Sequence, residues 1–132
     1  MNANNVLVDT SVWIAYFKKT DGRLVERVDE VLTSASVCVP RVVIAELLQG
    51  AKTGKEIALI EEFVEAFSII DQTDETWIKA GKLSFSMKRK GRTVNIVDCY
   101  IAVLASDNGC RIFSLDEHFK EIKKFLRIEL LI

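Results

Sequence analysis

Short apolar runs alternate along this chain with longer amphipathic segments, and this alternation limits the folds that the chain can adopt. The first run, Val6 to Val8, is followed by a segment that carries apolar residues through Phe17. Brief apolar runs bounded by turn residues are typical of buried strands, whereas apolar residues three and four positions apart indicate helices. Strands and helices in alternation favour a parallel sheet with helices on both faces.

The predicted strands cover residues 6–8, 36–39, 68–70, 111–114 and 128–132. Thr10 or Ser11 is expected to cap the first helix. Later helices are predicted at 22–32, 40–48, 55–67, 74–90, 96–106 and 117–126. The expected fold class is therefore α/β, with three layers (α/β/α) around a central, mostly parallel sheet of four to five strands. The length suits one domain covering residues 1–132.

The composition excludes several classes of protein. With 132 residues, 49% of them hydrophobic, and a single Pro, the chain can bury a core without disulfides or a structural metal. Cys38, Cys99 and Cys110 form an odd set without a CxxC pair, which indicates a reducing compartment and buried thiols. Residues 1–5 do not resemble a signal peptide, and no apolar run approaches the roughly 20 residues that span a bilayer. We therefore expect a cytoplasmic protein without membrane contact.

Four of the 19 acidic residues differ from the others, most of which lie on charged helix faces. Asp9 and Asp116 follow predicted strands, and ligand sites of parallel sheets form where the strands end. Glu46 and Asp98 lie inside apolar segments without a Lys or Arg at helical contact spacing. A carboxylate among core residues must be solvated, paired with a cation or bound to a metal ion. For each acid alone, a helix cap, a turn or an exposed stripe is the structural alternative.

These four acids together predict a metal-dependent nuclease. Carboxylate oxygens are hard ligands that select Mg²⁺ or Mn²⁺ over zinc or copper. A divalent ion would relieve the repulsion between the acids and suits phosphoryl chemistry. His118, the only histidine, begins a polar predicted helix, and we expect it to have a surface or packing role. No glycine-rich phosphate loop of the P-loop or GxGxxG kind occurs in the sequence.

A basic strip precedes Asp98, although the net charge of the whole chain is only −1. The stretch between Glu75 and Asp98 contains no acidic residue. A local basic strip beside an acidic metal centre suits a polyanion whose scissile phosphate enters the cluster. Cations that favour the C-terminal end of a helix are the structural alternative. The predicted RNA-binding residues are Lys82, Lys88, Arg89, Lys90 and Arg92.

Four segments taken in order resemble the PIN-domain family, and most closely the VapC-type toxins of prokaryotic toxin–antitoxin pairs. They are VDTSVWI at 8–14, IAEL at 44–47, TVNIVDCYIA at 93–102 and FSLDEHF at 113–119. The resemblance covers nearly the whole chain. It implies a PIN-like fold and a Mg²⁺- or Mn²⁺-dependent endoribonuclease that cuts structured RNA, often tRNA or rRNA. It also implies a homodimer restrained by a small antitoxin.

The resemblance also assigns roles to individual residues. The metal ligands of the family, which are also the expected catalytic residues, correspond to Asp9, Glu46, Asp98 and Asp116. Its hydroxyl positions, which can orient a ligand or water, correspond to Thr10 or Ser11 and to Ser114, where many relatives carry Thr. Asn95 is either a further polar residue of the site or a helix cap.

Other functions fit the residues less well. A haloacid-dehalogenase-like phosphatase also places an Asp after its first strand, but it expects a second Asp where this chain has Ser11. A receiver domain needs a Lys near the end of a late strand, and the strand before Ser114 offers none. Two alternatives stay open. One is a housekeeping PIN ribonuclease for RNA processing, and the other is a PIN-like module that binds RNA or protein without catalysis.

Overall fold

The computed structural model describes residues 4–131, and at its centre lies a five-stranded sheet in which all paired strands are parallel. The strands are β1 (Asn5–Val8), β2 (Ser36–Pro40), β3 (Ser68–Ile70), β4 (Arg111–Phe113) and β5 (Glu129–Leu130). Their order across the sheet is β3-β2-β1-β4-β5. The predicted α/β class and parallel sheet are confirmed. Ile132, the end of the predicted last strand, lies outside the described residues.

Helices flank this sheet. Within residues 4–131 they are α1 (Thr10–Lys18), α2 (Gly22–Ser34), α3 (Arg41–Gln49), α4 (Gly54–Val64), α5 (Thr76–Arg89), α6 (Ile96–Asn108) and α7 (His118–Ile122). Contacts link α1 to α2 and α3, and α3 to α4, while α6 contacts both α5 and α7.

The burial of the elements follows their composition. Val6, Leu7 and Val8 of β1 are fully buried, as expected for a central strand of a parallel sheet covered on both faces. Seven consecutive residues of α6, from Cys99 to Ala105, are buried, which explains why this helix is apolar nearly all round. Strands and helices share one apolar core cluster. All three cysteines are buried and unpaired, as predicted.

Several predicted helix ends were wrong, each for a local reason. Asp9, not Thr10 or Ser11, is the N-cap of α1, because its backbone is extended and its carboxylate accepts a hydrogen bond from the Thr10 N–H. The N-cap of α5 is Glu75 rather than the predicted Asp74. Helices α4 and α7 end three and four residues earlier than predicted. There the chain forms turns with hydrogen bonds to the third residue back, as in Phe125 N–H to Ile122 C=O.

A search of the helices between residues 4 and 131 finds none with the length and apolar character needed to cross a bilayer.

Candidate metal centre

Asp9 lies at the carboxyl end of the central strand β1 and is only 6% exposed. One carboxylate oxygen, Oδ1, accepts a hydrogen bond from the Thr10 N–H at 2.7 Å. The other, Oδ2, accepts from the Ser11 hydroxyl at 2.9 Å and from the Ser114 hydroxyl at 2.5 Å. Three donors therefore compensate the burial of this carboxylate and fix its orientation.

The Ser114 hydroxyl forms hydrogen bonds with both Asp9 and Asp116. Ser114 follows β4, which pairs directly with β1, so its hydroxyl reaches Asp9. The same oxygen accepts a hydrogen bond from the Asp116 N–H at 2.9 Å. A second link runs from the Leu115 N–H to the Ser11 hydroxyl at 3.0 Å. The loop after β4 is thereby tied to the start of α1.

Glu46 approaches the same edge from α3. Its Oε1 accepts a hydrogen bond from the Thr10 hydroxyl at 2.7 Å, and α3 also contacts α1. Glu46 is half-buried, so its remaining oxygen is available to a ligand. Both hydroxyls that follow Asp9 thus orient a carboxylate, Thr10 that of Glu46 and Ser11 that of Asp9.

Asp98 and Asp116 meet around the imidazole of His118. The His118 Nδ1 lies 3.0 Å from Asp98 Oδ2 and 3.1 Å from Asp116 Oδ1. The His118 backbone N–H also donates to Asp116 Oδ1 at 2.9 Å, which fixes the imidazole-bearing residue against that acid. Among residues 4–131, these three side chains offer one ligand atom each within 4.8 Å of one another.

The pKa of Asp98 is raised in the folded chain. Burial is the main cause and the carboxylates of Asp116 and Asp9 add to it, while the hydrogen bond with His118 opposes them, and together they bring the pKa to about 6. Asp98 in turn holds the pKa of His118 above its ordinary value through that hydrogen bond, with a further contribution from Asp116. When it is protonated, His118 supplies part of the counter-charge that the cluster requires.

The residues present fit a divalent ion. They provide several carboxylates and one imidazole, a donor set suited to Mn²⁺ and, through the oxygens, to Mg²⁺. Asp9 and Asp116 come from the ends of β1 and β4 and Asp98 comes from α6, so the fold rather than one motif brings them together, while Glu46 of α3 is linked to this edge through Thr10. A positive ion at this point would lower the cost of keeping the half-buried Asp98 ionised.

His118 is exposed, which agrees with the expected surface role, but its imidazole also contacts Asp98 and Asp116, a contact that the sequence analysis did not predict. Its position two residues after Asp116, at the start of α7, was the available signal. Asn95 has the alternative role that we considered: its Oδ1 caps α6 by accepting from the Val97 N–H at 2.7 Å.

The basic strip lies on α5 and the turn after it. Arg92 forms an ion pair with Glu121 of α7, with 2.7 Å between Nη1 and Oε2. Within residues 4–131, the other four members, Lys82, Lys88, Arg89 and Lys90, are exposed and outside the ion pairs.

An apolar groove of about 600 Å³ opens beside Glu46, between α1, α3 and α4. Ile14 and Phe17 form one wall, and Leu59 and Ile60 the other. Leu59 is 59% exposed, which is high for a large apolar side chain. Lys18, Lys52 and Glu56 line the polar part of the groove.

The PIN domain family model matches residues 6–125, a span that contains all four predicted acids. The VapC ribonuclease Mb1587 of Mycobacterium bovis is 28% identical over 128 residues, which cover 94% of this chain and 96% of that one. Ribonuclease VapC1 of Methanocaldococcus jannaschii is 29% identical over 123 residues, covering 92% of this chain and 84% of the other. The similarity therefore extends over the site and nearly the whole fold.

Solved structures share the same fold at lower identity. VapBC2 from Rickettsia felis, bound to a DNA fragment from its promoter, matches with a TM-score of 0.78 and 18% identity over 96% of this chain and 97% of that one. VapC20 of Mycobacterium tuberculosis, a toxin that cleaves the sarcin–ricin loop, matches with a TM-score of 0.68 and 16% identity over 88% and 93%. Identities this low establish the fold alone.

Proposed function

Since this chain belongs to the PIN-domain family, we propose that it is a Mg²⁺- or Mn²⁺-dependent endoribonuclease that cuts structured RNA, with tRNA or rRNA as the expected class. One observation carries the proposal. Asp98 and Asp116, which are 18 positions apart in sequence, meet at the His118 imidazole at one edge of the sheet, where burial, with smaller contributions from the carboxylates of Asp116 and Asp9, raises the pKa of Asp98 to about 6. The sequence relatives named as ribonucleases support the same activity.

The proposed ligands are Asp9, Glu46, Asp98 and Asp116, and a bound divalent ion supplies the charge that polarises a phosphate and acidifies water. Ser11 and Ser114 hold Asp9, and Thr10 holds Glu46, so these carboxylates are oriented before substrate arrives.

The chemical step is hydrolysis of a phosphodiester. Water forms a new bond to phosphorus in line with the leaving oxygen, and the bond from phosphorus to that oxygen breaks. Asp98 or Glu46 accepts the proton from the attacking water, and the departing oxygen takes a proton from solvent to leave as a hydroxyl. Both are half-buried carboxylates at the site edge, which suits a general base.

The RNA backbone is proposed to follow the basic strip into the site. Lys90 and Arg92 lie on the turn that leads from α5 to the Asp98 helix. Lys82, Lys88 and Arg89 extend the positive charge along α5. Phosphate contacts of this kind position a polyanion without reading its sequence.

The first test is cleavage of a total tRNA and rRNA pool by the purified chain in Mg²⁺, in Mn²⁺ and in EDTA. Specific fragments should form with either metal and be absent in EDTA. Asp98→Asn should lower the rate by about 100-fold or more, because a ligand and candidate base is lost. Asp107→Asn is the matched control: it lies on the same helix, forms only a surface pair with Lys79, and should cut normally.

Absence of cleavage by the folded native chain in every metal would overturn the proposal and favour the non-catalytic PIN-like module. Equal activity of the Asp98→Asn and Asp107→Asn variants would instead overturn the assignment of the site. Circular dichroism of each variant separates both results from misfolding.

The proposed biological role is that of the toxin of a toxin–antitoxin pair, acting as a homodimer with a small cognate antitoxin. Solved relatives of the same fold are VapBC complexes, which supports such a partner. The groove offers an apolar surface that Glu46 lines, so an antitoxin segment bound there would cover this proposed ligand. A housekeeping ribonuclease would have no such inhibitor, and a small protein that copurifies and inhibits cleavage distinguishes the two roles.

A further inference from the structure

We propose that the outward face of α5 is a self-association surface, on which α5 of a second copy packs antiparallel about a two-fold axis beside Gly81 and Lys82. This gives the proposed homodimer a defined surface and register. The inference rests on α5 alone and not on the proposed ribonuclease activity, so the two can fail separately.

The inward and outward faces of α5 are clearly separated. Thr76, Ala80, Leu83 and Met87 recur at helical spacing and are buried against the molecule. On the opposite side, Ile78 is 53% exposed and Phe85 is 61% exposed. These two apolar residues are seven positions apart, so they lie two turns apart on one stripe. An apolar stripe that faces away from the core of its own chain is typical of an interface.

Gly81 lies between these two residues on the same exposed side. Glycine is unfavourable in the middle of a helix, and here a Cβ added to it would meet nothing within 4 Å. The packing of this chain therefore does not explain the glycine. A small residue at the centre of an exposed stripe is explained if another helix approaches closely at that point. In the antiparallel register, the Lys82 side chain of the second copy lies over Gly81.

The charges at the two ends of α5 are complementary in the same register. Asp74 and Glu75 precede the first turn, and Lys88 and Arg89 form the last one. An antiparallel partner that pairs Ile78 with Phe85 brings the acidic end of each copy to the basic end of the other. Asp74 then faces Arg89, and Glu75 faces Lys88. A parallel pairing would instead place like charges together, so the charges select the antiparallel arrangement.

The proposed α5–α5 interface is small, and its two-fold symmetry limits the assembly to a dimer. A two-fold axis makes each contact occur twice, so the apolar stripe and both charged ends are covered in one dimer. Fourteen residues of helix are about 21 Å long. One helix face is smaller than the roughly 800 Å² per partner of a standard interface, so we expect dissociation in the micromolar range.

This surface also refines the proposed path of RNA. Lys88 and Arg89 are engaged with the partner in the dimer, so the RNA contacts nearest the site fall to Lys90 and Arg92. RNA binding by Lys88 and Arg89 is the competing explanation of the same charges, and the experiment below separates the two.

The test uses two charge-reversed variants of the full chain in sedimentation velocity from 1 to 200 μM. The acidic variant carries Lys88→Glu with Arg89→Glu, and the basic variant carries Asp74→Lys with Glu75→Lys. The native chain should approach twice 14.9 kDa with rising concentration, and each variant alone should dissociate at least tenfold more readily. An equimolar mixture of the two should restore the dimer as a heterodimer, because each reversed end then meets its complement.

Lys123→Glu with Arg127→Glu is the matched control, with the same change of charge at exposed positions outside α5. It should dimerise as the native chain does. Phe85→Ser tests the apolar stripe without changing any charge, although it also removes the ring over which the Arg89 guanidinium lies, and it should dissociate both homodimer and heterodimer. Failure of the mixture to recover the dimer would overturn the register. An unchanged mass for all variants, with loss of RNA retention by the acidic variant only, would overturn the surface and assign these residues to RNA.

Discussion

Asp9 shows that a structural role and a ligand role can be combined at one residue. Its Oδ1 caps α1 through the Thr10 N–H, and its Oδ2 is held by the hydroxyls of Ser11 and Ser114. The helix cap that we considered as an alternative to a site residue is therefore present within the site. Capping fixes the carboxylate rather than removing it from the cluster, and the N-terminal end of α1 favours its negative charge.

Ser114 provides a test of this orientation. Ser114→Ala removes the donor to Asp9 and the acceptor of the Asp116 N–H, so the free energy of unfolding should fall by about 1–2 kcal/mol. The affinity for Mn²⁺ should fall by about 10-fold or more, because the supporting hydrogen bonds of ligands tune metal binding. Ser114→Thr keeps the hydroxyl and should restore most of both quantities. Urea unfolding and calorimetric metal titration measure them, and equal losses in the Thr and Ala variants would contradict this role.

Asp98 should destabilise the metal-free fold at neutral pH. Its pKa in the folded protein, about 6, exceeds the ordinary value of 3.8, so folding favours the protonated form. Ionisation therefore costs stability as pH rises from about 4 to about 6, and the whole cost is present at pH 7. In EDTA at pH 7, the free energy of unfolding of Asp98→Asn should exceed that of the native chain by about 1–2 kcal/mol. This difference should become smaller as the pH is lowered toward 4.

Thermal unfolding followed by circular dichroism at the two pH values measures this effect. Added Mn²⁺ should raise the melting temperature of the native chain far more than that of Asp98→Asn. A variant less stable than the native chain at pH 7 without metal would show that the contact of Asp98 with His118 outweighs the burial of its charge.

At the scale of elements, helix periodicity located the helices but not their ends. Helix α4 was predicted through Phe67, although the chain turns after Val64 to enter β3. Helix α7 was predicted through Leu126 and ends at Ile122. In both cases apolar residues continue past the helix because the following turn is also packed against the core. Amphipathic spacing reports burial, and it cannot distinguish a last helical turn from a packed non-helical one.

The groove formed by α1, α3 and α4 is predicted to bind the antitoxin, and this can be tested by substitution of one helix position. Leu59→Glu places a charge on the exposed wall of the groove and should weaken binding of the antitoxin by about 10-fold or more. The variant should still cut RNA, because Leu59 is not among the acids or the hydroxyls that hold them. Ile57→Glu is the control: it lies on the same helix, is 40% exposed and does not line the groove. Calorimetry with the copurified antitoxin measures the affinities, and similar values for both variants would exclude the groove as its binding surface.

At the scale of the whole molecule, the strand order creates the candidate metal centre. Parallel strands end at the same edge, and β1 lies between β2 and β4. Asp9 therefore has Ser114 beside it although 105 positions separate the two residues in sequence. Helix α6 begins at this edge and brings Asp98 to it, and α3 brings Glu46. Each acid is held by a different element, so the cluster exists only in the folded chain.

The sequence alone determined the α/β class and the parallel sheet, because these follow from local periodicity. It also predicted the four acidic positions and the basic strip, and the family resemblance added the hydroxyls. Only the tertiary structure decided that Asp9 caps α1, that Asn95 caps α6, and that His118 lies between Asp98 and Asp116. The physical reason is the same in each case: hydrogen bonds and charge pairs form over about 3 Å, and distances of this size between remote segments are set by strand order and helix packing.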